Sequence, residues 1–232
     1  MAFDSGLQTP DLLMYPAGNL FIPVPHGQLE AILKEPHGAA VRGVALVLHP
    51  HPMGGGTMHN KVVFRAAAAL TDAGLITLRV NFRGVGQSTG NHDEGRGEKE
   101  DAQACLDFLA KRYGTNRITL AGFSFGSYVG TQVGISDDRV RYLISIGTPV
   151  DKYDFSFLAD CRKPILFVHG DRDEFGRAER VRALAAGLPI EAQAQVKIIS
   201  NADHFFEGWL DEMKLVITEW VKERMEEVQS SG

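Results

Sequence analysis

Short runs rich in Val, Ile and Leu, spaced by segments of helical periodicity, predict a doubly wound α/β fold. The expected sheet is mostly parallel, has about eight strands and carries helices on both faces. Three observations support this. The runs are apolar throughout rather than alternating, which suits strands buried on both faces. Helical patterns fill the intervals between them. Two further extended stretches, joined by a tight turn, come first and add antiparallel strands at one edge.

Residues 1–18 are polar and are expected to form a loosely ordered N-terminal segment before a single domain at 19–228. "NLFIPV" (19–24) and "QLEAILKEP" (28–36) read as a hairpin around His26-Gly27. The buried strands are "GVALVLH" (43–49), "LITLRVNF" (75–82), "RITLAGF" (117–123), "VRYLISIG" (140–147), "PILFVHG" (164–170) and "AQVKIIS" (194–200). Between them, "NKVVFRAAAALTDAG" (60–74) predicts a helix that stops at Gly74, a residue suited to the C′ position. "EKEDAQACLDFLAKRYG" (98–114) has acids in its first turn and bases in its last, matching the helix dipole. Ala102, Cys105, Leu106, Leu109 and Ala110 fall on one face of it. "SYVGTQVGI" (127–135), "FGRAERVRALAAG" (175–187) and "HFFEGWLDEMKLVITEWVKERMEE" (204–227) are helical in pattern, the last with a possible break at Gly208.

Several function classes are disfavoured by composition. A net charge of −5 with scattered Lys and Arg argues against sequence-independent nucleic-acid binding. Two cysteines, Cys105 and Cys161, make neither a disulfide framework nor a C-x-x-C pair. The N-terminus has no signal-peptide pattern, and no apolar stretch approaches the ~18 residues that span a bilayer. The expected location is the cytoplasm.

The sharpest motif is "GFSFGS" (122–127). It fits G-x-S-x-G between a strand and a helix, where a nucleophilic serine sits on a strained turn with its hydroxyl above the sheet. The bland alternative is a Gly-Ser loop, but the strand before and the helix after are the motif's confirming context. A serine hydroxyl needs a base to take its proton, and the base needs an acid to orient it. Both can follow in the chain order Ser, acid, His. "PILFVHGDRDEFG" is a strand running into an acidic loop at 171–174, and "VKIISNADHFFEG" is a strand running into Asp203-His204. Both loops lie at the carboxyl ends of strands, where open α/β sheets build their sites.

On "LHPHPMGGGTMHNKVV", "NFRGVGQSTG", "GFSFGS", "HGDRDEF" and "ADHFFEG", the chain from about 19 to 222 resembles the α/β-hydrolases, in particular the small bacterial dienelactone-hydrolase-like group. Dienelactone hydrolases proper carry a cysteine where Ser124 stands, and Cys105, on the preceding helix, cannot replace it. The resemblance implies Ser124 as nucleophile, His204 as base and Asp173, the second Asp of the H-G-D-x-D loop, as acid. Asp171 is expected to cap the turn, Glu174 is a weaker rival for the acid, and Asp203 is read as ordering its loop. The oxyanion donors are expected to be the backbone N–H of Phe125 and one from the loop "PHPMGGG". Pro50 and Pro52 have none, leaving His51, then Met53, then a glycine.

Other motifs yield blander readings. His49, His51 and His59 match no common zinc spacing and are read as loop packing, so no metal is expected. "RGVGQSTG" departs from the dinucleotide fingerprint in its third glycine and lacks a following helix, and no P-loop G-K-[ST] is present, so no cofactor is expected. Of Phe205, Phe206 and Trp209, at least two are expected in the core. Only 148–163 separates the sixth and seventh strands, where lipases and dehalogenases of this fold often carry a cap, so the site is expected to be open, with "VDKYDFSFL" as a candidate wall. The implied activity is hydrolysis of small soluble carboxylic esters through an acyl-enzyme. Thioester or amide cleavage by the same groups and a non-catalytic binding role are the alternatives.

Overall fold

The computed structural model describes residues 18–36, 41–115 and 117–230, the side chains of 227–230 excepted. The loosely ordered segment expected at 1–18 lies outside these residues except for Gly18, which opens the first strand. In chain order the elements are β1 (Gly18–Val24), β2 (Gly27–Lys34), β3 (Gly43–Leu48), α1 (Lys61–Asp72), β4 (Leu75–Val80), α2 (Arg96–Tyr113) and β5 (Ile118–Phe123). Then follow α3 (Phe125–Ser136), β6 (Val140–Ile146), β7 (Ile165–Gly170), α4 (Ala178–Ala186), β8 (Gln195–Ile199) and α5 (Leu210–Ser230).

The strands form one sheet in the order β1-β2-β4-β3-β5-β6-β7-β8. β2 pairs antiparallel with both β1 and β4, and every other pairing is parallel. The apolar runs are strands because both faces are covered. In β3, Val44, Leu46 and Leu48 join a core under α2, α3 and α4, whereas Ala45 and Val47 join a second core under α1 and α5. The period-2 alternation thus distributes one apolar run between two cores. α1 ends as its sequence implies, with Gly74 at φ 91° just beyond its cap.

Three helix starts differ from the sequence reading. α2 begins at Arg96, inside the stretch read as loop, because the buried Glu98 carboxylate accepts the Gly95 N–H at 2.7 Å and caps the helix two residues early. α4 begins at Ala178, since Phe175 and Gly176 are engaged by Asp173 and His169. α5 begins at Leu210 rather than 204, because Phe206 and Gly208 adopt positive φ and interrupt helical winding. Among the described residues, no helix is long and apolar enough to cross a membrane.

Candidate active site

Ser124 occupies the one-residue junction between β5 and α3, at φ 54° and ψ −121°. This is a strained conformation for a residue with a Cβ, tolerated only where the surroundings fix it. They do so here. The Ser124 N–H donates to the Ile146 carbonyl of β6 at 2.9 Å, and its carbonyl accepts from the Ser127 N–H at 2.8 Å and the Ser127 hydroxyl at 2.7 Å. The flanking glycines have a steric reason. A Cβ on Gly126 would lie 2.5 Å from the Leu48 carbonyl oxygen of β3, and one on Gly122 would overlap the Gly126 carbonyl.

The loops after β7 and β8 bring the other two residues in. Asp171 Oδ1 accepts the Asn201 N–H at 2.7 Å and ties these loops together. Asp203 orders its own loop by accepting the Glu207 N–H at 3.0 Å. Asp173 and His204 then meet in the interior. Their side chains are 0% and 3% exposed, with Asp173 Oδ2 2.7 Å from His204 Nδ1. The other oxygen, Oδ1, accepts the Phe175 N–H at 2.8 Å. His204 Nε2 lies 2.9 Å from Ser124 Oγ. With Nδ1–H donating to the carboxylate, Nε2 of the neutral ring is an acceptor for the serine hydroxyl. Glu174, the rival acid, is exposed on the same loop.

Aromatic rings surround the imidazole. Phe123, Phe175 and Phe205 lie with centroids 4.9, 4.5 and 5.2 Å from that of His204. Phe205 is half-exposed, Phe206 is fully buried and Trp209 packs against the α1/α5 core, so two of the three aromatics there are structural.

The loop expected to supply an oxyanion donor follows β3, and Phe125 directly follows Ser124. Met53 N–H donates to His51 Nδ1 at 3.1 Å, and the N–H groups of Gly54, Gly55 and Gly56 go to carbonyls of the same loop. Among the described residues, the N–H groups of His51 and Phe125 have no acceptor. The His51 N–H is thus free to donate, whereas that of Met53 is engaged. His49 is a packing residue. Its Nε2 accepts the Phe82 N–H at 3.0 Å and its Nδ1 lies 2.6 Å from the Pro50 carbonyl, while burial pushes its pKa down to about 4.

Two groups near the site were not assigned a role from sequence. His169, fully buried on β7, donates from Nε2 to the Gly176 carbonyl and sits 3.6 Å from Asp173 Oδ2. Burial lowers its pKa, so it packs as a neutral ring against the acid loop. His92 and Glu98 form a second histidine–carboxylate pair at 2.7 Å. A histidine six residues ahead of a glutamate was visible in the sequence, but nothing there indicated that the glutamate turns inward.

The connection between β6 and β7 carries one short 3-10 helix, Ser156–Asp160, and no cap domain. It packs on α3, with Tyr153 stacked on Tyr128 at 4.5 Å and reaching within 6.1 Å of the Phe125 ring.

The chain matches known proteins over nearly all of this architecture. A family profile described as "Alpha/beta hydrolase domain" covers residues 43–225. An uncharacterized protein of Rickettsia prowazekii is 40% identical over 185 residues, which are 77% of this chain and 78% of that protein. The structure of an α/β serine hydrolase homologue from Coxiella burnetii superposes with a TM-score of 0.83 at 39% identity, covering 88% of this chain and 98% of the other. XC6422 from Xanthomonas campestris, described as an α/β serine hydrolase without lid, gives a TM-score of 0.83 at 33% identity over 90% and 96% of the two chains. By this match and these relatives, the chain belongs to the α/β-hydrolase family, among its serine hydrolases.

Proposed function

We propose that the protein hydrolyses carboxylic esters of small soluble substrates through an acyl-enzyme on Ser124. The reading rests on one observation: Ser124 Oγ, His204 and the buried Asp173 form a continuous hydrogen-bonded chain, with spacings of 2.9 and 2.7 Å. In this mechanism Oγ attacks the carbonyl carbon while His204 Nε2 takes its proton. The imidazolium is held by Asp173. The carbonyl electrons pass to the oxygen, which accepts from the N–H groups of His51 and Phe125. Collapse breaks the bond to the alcohol oxygen, and His204 returns the proton to it. Water, deprotonated by the same nitrogen, then attacks the acyl carbon; collapse breaks the bond to Ser124 Oγ, which takes the proton back from His204 as the acid leaves. General-base assistance of this kind contributes about 10²–10⁴ in rate, and each oxyanion donor about 10²–10³.

The short β6–β7 connection supports small soluble esters over emulsified lipid, since no cap offers an acyl-chain tunnel. The test is turnover of p-nitrophenyl esters from acetate to decanoate, run beside Ser124→Ala and a fluorophosphonate probe. Short esters should be cleaved by the wild type alone, and the probe should label Ser124. Equal turnover by Ser124→Ala would overturn the mechanism. An unlabelled Ser124 with no turnover would point to a binding protein.

A further inference from the structure

Around Phe125, the residue after Ser124, the structure holds a cluster of rings whose side chains the mechanism does not use. The rings of His51, His92 and Phe125 meet with centroids 4.7, 4.8 and 5.7 Å apart. His51 follows β3 and His92 follows β4, so both sit at the carboxyl edge of the sheet with Ser124.

Neighbouring groups fix the proton positions on both rings. Glu98 Oε1 lies 2.7 Å from His92 Nδ1 and accepts the Asp93 N–H at 3.0 Å, while Oε2 accepts the Gly95 N–H at 2.7 Å. Burial alone would push the Glu98 carboxyl up, but these backbone donors outweigh it and hold it below its ordinary value. The carboxylate is therefore ionised and accepts only, so His92 Nδ1 carries the proton and neutral His92 offers a lone pair at Nε2. His51 is the reverse. Its Nδ1 accepts the Met53 N–H, so the neutral ring carries its proton on Nε2. Burial lowers the His51 pKa and favours its neutral form. Among the described residues neither Nε2 has a hydrogen-bond partner, and neither belongs to the buried unpartnered nitrogens, so both reach solvent.

We propose that His51 and His92 form a polar subsite beside Ser124 that binds a hydroxyl group carried by the ester substrate, with buried Glu98 positioning His92. This rests on the esterase reading above and narrows its substrate class to hydroxylated esters. One donor and one acceptor on adjacent rings match a hydroxyl, which both accepts and donates. A ketone or carboxylate, which only accepts, would face the His92 lone pair. His92 cannot reverse its tautomer cheaply, because that would leave an ionised buried carboxylate short of a donor.

The test compares matched pairs at pH 8: p-nitrophenyl 3-hydroxybutyrate against butyrate, and 2-hydroxyethyl against ethyl butyrate, with p-nitrophenyl hemisuccinate as an anionic control. The wild type should prefer the hydroxylated member of at least one pair by about tenfold in kcat/KM. The ratio should fall to about one in His92→Phe, and also in His51→Phe, which serves if the first variant does not fold. Ratios near one in a wild type that cleaves butyrate would overturn the subsite, as would a preference that survives both substitutions or a stronger preference for the hemisuccinate. If the wild type cleaves no ester, the esterase reading fails separately. The subsite is then read in Ser124→Ala from the ¹⁵N shifts of the two Nε2 atoms. Methyl 3-hydroxybutyrate should move them more than methyl butyrate, and equal responses would overturn it.

Discussion

The hydroxyl of Ser124 lies 2.9 Å from Nε2 of His204, a residue 80 positions later in the chain. A contact so distant in sequence exists because β5 and β8 end at the same edge of one sheet. If Ser124, His204 and Asp173 act as a unit, their deletions should not add. Ser124→Ala and His204→Ala should each lower kcat by about 10⁴ or more, and the double variant should lose little beyond either alone. Asp173→Asn should cost about 10⁴, because an amide can donate to Nδ1 and stabilise the wrong tautomer. Steady-state kinetics on a short p-nitrophenyl ester measures all four, and additive losses would show that the residues do not work together.

The oxyanion assignment can be tested on the backbone itself. His51 sits at φ −54° and ψ 124°, a conformation proline adopts without strain. His51→Pro therefore removes the N–H while keeping the loop path, and His51→Ala keeps the N–H while removing the ring. With His51 as donor, His51→Pro should have a kcat about 10²–10³ below that of His51→Ala. Equal rates would move the donor elsewhere in the loop. Met53 is the weaker candidate because its N–H already serves His51 Nδ1.

Much of this was legible in the sequence, for identifiable reasons. The eight strands were readable because continuous Val/Ile/Leu runs have few alternatives between covered helical segments. That Ser124, Asp173 and His204 would meet was readable because their positions are local: each follows a strand within a few residues. What escaped were features set by tertiary contacts. Glu98 read only as one of the first-turn acids that match the helix dipole. Only the fold shows its carboxylate turned inward onto Asp93, Gly95 and His92. The start of α5 escaped similarly. Helical propensity runs from 204, but holding His204 against Asp173 goes with the positive φ of Phe206.

The close approach of β3 to α3 makes Gly126 a stability determinant as well as part of the turn that carries Ser124. A methyl group there would sit 2.5 Å from the Leu48 carbonyl oxygen, a backbone atom that no rotamer change can move aside. Gly126→Ala should destabilise by about 3 kcal/mol, at the upper end for overpacking, and lower activity by shifting Ser124. Urea denaturation should show the midpoint falling at unchanged slope. Wild-type stability in this variant would mean that β3 and α3 part more easily than their packing indicates.

The buried histidines set a pH dependence of opposite sense to that of a salt-bridged histidine. His49 accepts the Phe82 N–H at Nε2, so protonating it would break that bond inside the core. Burial lowers its pKa to about 4, from 6.5 in the unfolded chain. Between those values the unfolded chain binds a proton that the folded one refuses, so stability rises with pH. The contribution is complete above pH 6.5 and is lost as pH falls toward 4. Roughly 2 kcal/mol should be gone at pH 5 from His49 alone. His169, also lowered by burial, adds in the same direction. Asp137, whose carboxyl Arg139 holds at about 2, enters only at lower pH, where unfolded aspartates begin to protonate. Urea unfolding at pH 7.5 and 5.0 should therefore show a clear loss for the wild type. His49→Gln should be less stable at pH 7.5 yet change less between the two, since the titrating group is gone. A wild type equally stable at both pH values would mean that water reaches His49 and that its burial is not enforced in solution.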